Sequence, residues 1–212
     1  MNDFDSEEFS EKTDTPNSYD MDIWDENPDK VLPNETEDSI REVGFPDELA
    51  PYWHYQGYTN DCALYAQGGV LEADGKSFDI DKYREQAISD GSYDPEEGTY
   101  INRFGDLLES NGTEVNRYEN ATIQDMASEL DQGHGVVVAV DCEPIWGEPG
   151  GHALWITGME VGDDGVPISI ISNDSGREDG QSIKYPFDNF MDAWGSYGNV
   201  MVSTVEGLQE LQ

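Results

Sequence analysis

A cysteine and a glutamine near the start of an apolar run could together carry out thiol chemistry. Cys62 opens a helical run at residues 61–73, and Gln56 stands six positions before it. A thiol at a helix N-terminus lies where unpaired backbone N–H groups and the helix dipole favour negative charge, so more of it is thiolate at neutral pH. A nearby amide could then donate to an oxyanion. This spacing predicts a nucleophilic cysteine.

A nucleophilic thiol needs a base, and the base needs an acceptor that fixes its tautomer. The distal half of the chain offers His152 and Asp174. His152 begins a run of β-favouring residues at 152–161, and Asp174 ends the next predicted strand. The turn at 161–166 joins the two strands as a hairpin. Antiparallel neighbours placed this way could bring the imidazole and the carboxylate within hydrogen-bonding reach.

Three blocks of sequence hold these four side chains in order. They are Tyr-Gln56-Gly-Tyr-Thr-Asn-Asp-Cys62-Ala, then Gly151-His152-Ala-Leu-Trp-Ile-Thr-Gly158, then Ser-Asn-Asp174-Ser. The blocks resemble those of the bacteriocin-processing, double-glycine leader peptidase family, which is papain-like, and the resemblance covers about residues 50–205. It implies Gln56 as oxyanion donor, Cys62 as nucleophile, His152 as general base and acid, and Asp174 as its orienting partner.

The sequence departs from that family at two points. Family members commonly have proline after the aspartate, where this chain has Ser175. Many members are also fused to a membrane transporter, which is absent here, so we expect a stand-alone peptidase domain. The resemblance does not imply a particular substrate.

The elements that must position these side chains are predicted from hydrophobic periodicity and turn residues. Thr122 with Asp125 approximates a capping box, and Gly133 is expected to stop that helix. Helices come early and antiparallel strands late, which predicts an α+β domain with a papain-like fold. In that fold the nucleophile helix packs on a C-terminal antiparallel sheet. Helices are expected near 61–73, 79–90, 99–110, 122–132 and 187–195, and strands near 113–118, 136–140, 152–161, 167–172 and 200–205.

Two regions are predicted along the chain. Residues 1–45 are rich in Asp, Glu, Asn, Ser and Pro without a sustained period, which predicts a mostly disordered acidic tail. The peptidase domain is expected at 46–212. Apolar residues at 19–24 could dock on the domain. A solubilising leader is favoured for the tail over a cleft-covering pro-segment or a partner-binding motif.

Charge limits the classes of partner. The 212 residues include 47 acidic and 10 basic side chains, giving a formal net charge of −37. Nucleic-acid phosphate requires a basic face, so nucleic acid is an improbable ligand, and an anionic membrane surface is disfavoured for the same reason. We expect a peptide or protein substrate, and a basic protein is a further candidate partner for the acidic surface. The charge also fits a high-salt habitat or a need for solubility.

Neither a membrane span nor a secretory signal is predicted. No uninterrupted apolar run reaches about 18 residues, and the N-terminus lacks the basic and apolar regions of a signal peptide. The expected location is the cytoplasm, with export by a non-classical route left open. Three widely separated histidines and no close cysteine pair match no zinc site, and the acidic turn at 162–165 lacks calcium-loop spacing. We therefore expect no metal and no cofactor.

The two cysteines have competing interpretations. Cysteine is among the most often buried residue types, so Cys62 alone would more often be a packing residue. Its position ahead of a histidine and an aspartate in order favours catalysis. Cys142 lies in a polar loop without an amide donor ahead of it, which favours packing. A bridge between the two would silence the proposed nucleophile, although so few cysteines argue against a disulfide framework.

The base and its partner also have alternatives. His54 and His134 compete with His152, but His134 precedes a strand with no matching resemblance. His54 could line the cleft or merely stack on its aromatic neighbours. Asn173 could orient the base instead of Asp174, as asparagine does in papain-like enzymes generally. An aspartate at that position could also simply accept backbone N–H bonds in a turn. Likewise, the glutamine ahead of the cysteine could be an ordinary polar loop residue.

Three functions are compatible with this pattern. The leading hypothesis is a thiol peptidase that forms an acyl-enzyme on the cysteine and releases it with water. A cysteine acyltransferase would use the same intermediate and pass the acyl group to an amine. A catalytically inactive acidic module, retained for binding, is the third.

Overall fold

A computed structural model describes residues 40–212. The predicted docking residues at 19–24 lie outside the described residues. In 40–212 the helices are α1 Pro46–Leu49, α2 Cys62–Ala73, α3 Ile80–Asp90, α4 Asp106–Ser110, α5 Ile123–Asp131, α6 Glu143–Trp146 and α7 Phe187–Gly195. The strands are β1 Arg41–Gly44, β2 Tyr93–Asp94, β3 Gly98–Thr99, β4 Val115–Tyr118, β5 Val136–Asp141, β6 Gly151–Val161, β7 Pro167–Asn173, β8 Ile183–Pro186 and β9 Met201–Thr204. Short 3-10 turns lie at Ala50–Tyr52, Ile101–Arg103 and Gln209–Leu211.

An antiparallel sheet with strand order β4-β9-β5-β6-β7-β8 forms the centre of the fold. The long strand β6 pairs with β5 along its first half and with β1 along its second half. Both faces of β6 are buried, because Leu154 and Ile156 face a core shared with α5 and α7, while Ala153 and Trp155 face a core shared with α2, α3 and α4. The sheet is therefore covered by helices on both sides.

The helix that begins at Cys62 packs directly on β6. Most of its residues are buried, including Leu64, Val70 and Leu71. Gly69 lets it approach the sheet, because a Cβ there would lie 2.7 Å from the Trp155 ring and 2.9 Å from the carbonyl oxygen of Tyr52. The predicted arrangement of a central helix on an antiparallel sheet is confirmed.

Most of the predicted long elements are present within a few residues of their expected bounds. The predictions at 61–73, 79–90, 122–132 and 187–195 correspond to α2, α3, α5 and α7, and all five predicted strands form. The capping box at Thr122 and Asp125 closes as expected, with the Asp125 N–H donating to the Thr122 hydroxyl at 3.1 Å. Gly133, with φ of 73°, follows the end of α5.

The helix predicted at 99–110 is wrong in its first half. The segment forms a 3-10 turn at Ile101–Arg103 and then the short α4. Gly105 breaks the helix between them, because its φ of 93° lies in the left-handed region. Its N–H donates to the buried Gln67 side chain at 3.0 Å. A residue of α2 thus takes up a backbone donor that a continuous helix would have paired internally.

A strand lies inside the range predicted as tail. Residues 41–44 form β1 and pair with Gly158 to Val161 of β6, so the boundary expected at residue 45 falls after an ordered element. Four residues with one buried side chain, Val43, are too short to show a strand period. The short elements β2, β3, β8, α1 and α6 were missed for the same reason.

In the described part of the chain, no helix combines the length and the apolar character that crossing a bilayer requires.

The close approach of α2 to the sheet predicts a penalty for any side chain at position 69. We expect Gly69→Ala to lower the free energy of unfolding by about 1–3 kcal/mol, because the buried indole and a backbone carbonyl both resist displacement. Gly195→Ala is the matched control, since its added Cβ meets only Asn199 at 3.7 Å. Urea unfolding of both variants measures the difference. Equal stability of the two would contradict the packing described here.

Candidate active site

A cleft of about 950 Å³ runs between the helical side of the molecule and the sheet. Cys62, His152 and Gln56 all line it. Cys62 is the first residue of α2 and is partly exposed, and His152 is the second residue of β6. The structure therefore brings three of the four predicted site residues to one cavity, from segments far apart in the chain.

The fourth residue, Asp174, lies directly behind the imidazole. The Nε2 atom of His152 is 2.8 Å from Oδ1 of Asp174. Strands β6 and β7 are antiparallel neighbours with Trp155 opposite Asn173, so the residue that follows β7 reaches the residue near the start of β6. Asp174 is 0% exposed, whereas the side chains of the histidine and the cysteine reach the cleft.

The Asp174 carboxylate accepts hydrogen bonds from three groups. Besides the imidazole, the Gly176 N–H donates to Oδ1 at 2.9 Å, and the Tyr185 hydroxyl donates to Oδ2. Burial alone would raise the pKa of this carboxyl, but the hydrogen bond and charge of His152, with Tyr185 and Gly176, outweigh burial and lower the pKa. The carboxylate is therefore ionised and fixed.

Cys62 and His152 favour each other's charged form. Burial would raise the pKa of the thiol, but its hydrogen bond with His152, the charge of the imidazolium and the backbone N–H groups of Ala153 and Ala63 together lower it. Burial would likewise lower the pKa of His152, but hydrogen bonds to Asp174 and to Cys62 raise it to about 10. Because Nε2 serves Asp174, Nδ1 is the ring nitrogen left for the thiol. These shifts favour the thiolate–imidazolium form of the pair over the neutral form.

An aromatic pair supports the histidine and was not predicted from the sequence. The Trp146 ring lies 4.5 Å from the imidazole, centroid to centroid, and its Nε1–H donates to the Tyr185 hydroxyl oxygen at 3.0 Å. Tyr185 in turn donates to Asp174. Burial, then the charge of Asp174, raises the pKa of Tyr185, so the phenol keeps its proton and remains a donor. No spacing in the sequence marks these two residues as partners.

Gln56 is held at both ends of its side-chain amide. Its Nε2 donates to the backbone carbonyl of Thr59 at 2.7 Å, and its Oε1 accepts from the Ser175 hydroxyl at 2.7 Å. Its backbone N–H donates to the Ser175 carbonyl at 2.8 Å. The amide therefore has a fixed orientation, in a residue that lines the same cleft as Cys62.

The start of α2 rests on a second buried carboxylate, which sequence reasoning also missed. Asp61 is 1% exposed and accepts from Arg84 at 2.5 Å and from the Tyr93 hydroxyl. Burial would raise its pKa, but Arg84 and Tyr93 outweigh burial and lower the pKa. Asp61 makes no side-chain cap to the first turn of α2. The N–H groups of that turn are left to face an anion at Cys62.

The competing histidines have other partners. Nε2 of His54 lies 2.6 Å from Glu72, and its ring stacks on Phe78 with centroids 3.9 Å apart. Nδ1 of His134 lies 2.7 Å from Glu129. Neither of these two histidines lines the cleft. Geometry favours His152 as the base.

The remaining alternatives are also engaged elsewhere. The Asn173 amide donates to the carbonyl of Leu49 at 2.8 Å and accepts from the Ser182 N–H at 3.1 Å, so it does not orient the imidazole. Cys142 is a free, buried thiol, and Cys62 is also free. Burial, followed by the charges of Asp174 and Cys62, raises the pKa of Cys142 to about 12. The second cysteine is therefore protonated at neutral pH.

A helix that begins with a cysteine, packed on an antiparallel sheet that carries a histidine at the cleft, defines the α+β papain-like fold. A sequence profile of the Peptidase_C39 like family matches residues 51–202, so the chain belongs to that family. The predicted resemblance to a papain-like cysteine peptidase family is thereby confirmed. Family and fold together indicate a function of the cysteine-peptidase type.

Individual proteins are also similar to this chain. Uncharacterised proteins of Mycobacterium bovis and Mycobacterium tuberculosis are each 25% identical over 198 residues, covering 76% of this chain and 83% of the relative. The crystal structure of a Bacillus anthracis protein described as a C39-like peptidase has a TM-score of 0.59 and 14% identity, covering 80% of this chain and 100% of that chain. At that identity, the likeness concerns the fold alone.

The lowered thiol pKa predicts fast alkylation of Cys62 at neutral pH. As the pH is lowered, the rate of alkylation by iodoacetamide should decline with a midpoint below the ordinary thiol pKa of about 8.5, because thiolate persists to lower pH. In His152→Ala the midpoint should rise from that of the parent protein, since the hydrogen bond and charge of His152, which lower the thiol pKa, are lost. Mass spectrometry locates the label. Labelling of Cys142 instead, or identical midpoints in both proteins, would contradict the ion pair.

The hydrogen bond from the Tyr185 hydroxyl to Asp174 should make a pH-dependent contribution to the free energy of unfolding. Tyr185→Phe should lower the free energy of unfolding by about 1.5–3 kcal/mol at neutral pH, because a donor to an ionised carboxylate is lost. The pKa of Asp174 is lower in the folded state, so the contribution is present above about pH 4 and is lost as the pH falls through the folded value.

Tyr83→Phe is the matched control for this prediction. Its hydroxyl donates to the neutral carbonyl of Ser77 at 2.8 Å, so its loss should cost about 0.5–1.5 kcal/mol with no pH dependence. Denaturant unfolding at several pH values measures both variants. Equal, pH-independent losses would show that Asp174 does not depend on Tyr185.

Proposed function

We propose that this protein hydrolyses peptide bonds through an acyl-enzyme on Cys62. The observation that carries the proposal is the unbroken series of interactions from the thiol to His152 and from His152 to Asp174, at one end of an open cleft. The lowered thiol pKa and the raised imidazole pKa support a nucleophile and an acid that are ready at neutral pH. Family and fold support the same class of reaction.

The chemistry follows from the position of each group. The Cys62 thiolate attacks the carbonyl carbon, a C–S bond forms and the carbonyl oxygen becomes an oxyanion. The Cys62 N–H at the start of α2 and the Gln56 amide donate to that oxyanion. His152 gives its proton to the leaving amine as the C–N bond breaks. It then takes a proton from water, which attacks the thioester and regenerates the thiolate.

The open cleft supports an extended chain as the substrate. Its wall combines aromatic side chains, among them Tyr58, Tyr100 and Tyr197, with backbone at Gly151 and Gly176. A Cβ at position 151 would lie 2.6 Å from the Tyr197 hydroxyl, and one at 176 would lie 2.5 Å from the Trp146 ring. Glycine at both positions therefore lets the Tyr197 and Trp146 side chains pack against the wall of the cleft.

A peptide library tests the proposal. We expect cleavage products by mass spectrometry from the parent protein and none from Cys62→Ala or His152→Ala. The matched controls are Cys142→Ala and His134→Ala, which leave the cleft intact and should retain turnover. In Gln56→Ala, kcat should fall by about 10²–10³ with little change in KM, because one oxyanion donor is lost.

Two outcomes would replace the proposal. A library product joined to an added amine such as hydroxylamine or glycinamide, with hydrolysis negligible, would identify an acyltransferase that uses the same intermediate. An intact library, together with alkylation of Cys62 only near pH 8.5 and no effect of His152→Ala, would identify a non-enzymatic module.

A further inference from the structure

Two residues that follow β7, Asp174 and Ser175, are joined to the segment ahead of Cys62 by three hydrogen bonds. Trp53 Nε1 donates to the carbonyl of Asp174 at 2.7 Å, and the Gln56 N–H donates to the carbonyl of Ser175 at 2.8 Å. The third bond is between side chains, from the Ser175 hydroxyl to Gln56 Oε1 at 2.7 Å. Ser175, which follows Asp174, thus contacts the Gln56 amide that is expected to donate to the oxyanion.

The chemistry of the neighbours determines which end of the amide faces which partner. The backbone carbonyl of Thr59 can only accept, so the NH₂ group of Gln56 must face it. Oε1 then faces Ser175, and because Oε1 can only accept, the hydroxyl must donate. Ser175 is 4% exposed, so solvent has little access to compete for its hydroxyl. Two fixed contacts at opposite ends of a planar group set the plane of that group.

One N–H of the amide remains for a ligand. Nε2 carries two protons, and one of them goes to Thr59. Among residues 40–212 no acceptor takes the other, and the side chain lines the cleft that also contains Cys62. Without the Ser175 hydroxyl, Oε1 of this partly exposed side chain would lose the partner that holds it, and the amide would be free to rotate towards solvent. Its remaining N–H would then no longer be held in the cleft.

We propose that Ser175 is a positioning residue that holds the Gln56 amide in the orientation needed to donate to the oxyanion. The inference rests on the proposed function, because it concerns the oxyanion of that reaction. Among the described residues that line the cleft, Ser175 is absent, and its hydroxyl donates to Gln56, so we expect it to act through Gln56. Its effect should therefore appear only in reactions that pass through an oxyanion, and only while Gln56 is present.

Two reagents separate an oxyanion effect from damage to the thiol. p-Nitrophenyl acetate acylates Cys62 through a tetrahedral oxyanion: the C–S bond forms, the carbonyl electron pair moves to oxygen and returns, and p-nitrophenolate leaves. Iodoacetamide alkylates the same thiolate by direct displacement of iodide, without any oxyanion. The ratio of the two rate constants, measured on one protein, reports the oxyanion donor alone.

We expect Ser175→Ala to slow acylation about tenfold and to leave alkylation unchanged, since one hydrogen bond that orients the donor is lost. Ser175→Thr keeps the hydroxyl and should restore most of the rate. Gln56→Ala should slow acylation more strongly, and Gln56→Ala with Ser175→Ala should be no slower than Gln56→Ala alone. Ser196→Ala is the matched control, because its exposed hydroxyl bonds only to the carbonyl of Asp192 at 2.9 Å in α7.

Several results would overturn the inference. Equal slowing of both reagents in Ser175→Ala would assign Ser175 a structural role. Full additivity of the two substitutions would show that it acts independently of Gln56. Slow acylation in Gln56→Ala but not in Ser175→Ala would refute the positioning role and leave the proposed function standing, whereas unchanged acylation in Gln56→Ala would refute the oxyanion donor itself.

Discussion

A carboxylate with no exposure to water must be surrounded by donors, and this requirement at Asp174 organises the site. An unpaired charge in a protein interior costs several kcal/mol, so the fold supplies an imidazole from β6, a phenol from β8 and a backbone N–H from Gly176. The carboxylate held in this way fixes the ring of His152, and together with Cys62 it raises the pKa of the imidazole. The fixed carboxylate favours the imidazolium form of His152, and the imidazolium in turn lowers the pKa of the Cys62 thiol.

A second buried carboxylate lies next to Cys62 in the chain. Asp61 directly precedes Cys62, and an uncompensated charge there would oppose the thiolate. Arg84 and Tyr93 neutralise it and turn it away from the first turn of α2, whose N–H groups remain available to an anion. In a chain with a formal net charge of −37, the electrostatics at the sulfur are thus set by a few fixed donors.

Hydrogen bonds join the segment 53–56, which precedes α2, to the segment 173–176, which contains Asp174. Backbone and side-chain hydrogen bonds link Trp53 and Gln56 to Asp174 and Ser175. The Gln56 amide and the Asp174 carboxylate, which bonds to His152, are therefore both held by the segment that follows β7. Any movement of the loop after β7 would displace both together.

Local sequence pattern predicted helix α2, the hairpin of β6 and β7 and the capping box of α5, because helix and strand periods and turn residues act over short distances. It also predicted the four residues Gln56, Cys62, His152 and Asp174 that the fold places at or directly behind one cleft. It was insufficient for the break at Gly105, the strand β1, and the partners Trp146, Tyr185 and Ser175. Ser175 lies 119 positions from Gln56, and Trp146 lies 39 from Tyr185. Such pairs arise only from strand register and from the need to satisfy buried polar groups, which the tertiary structure decides.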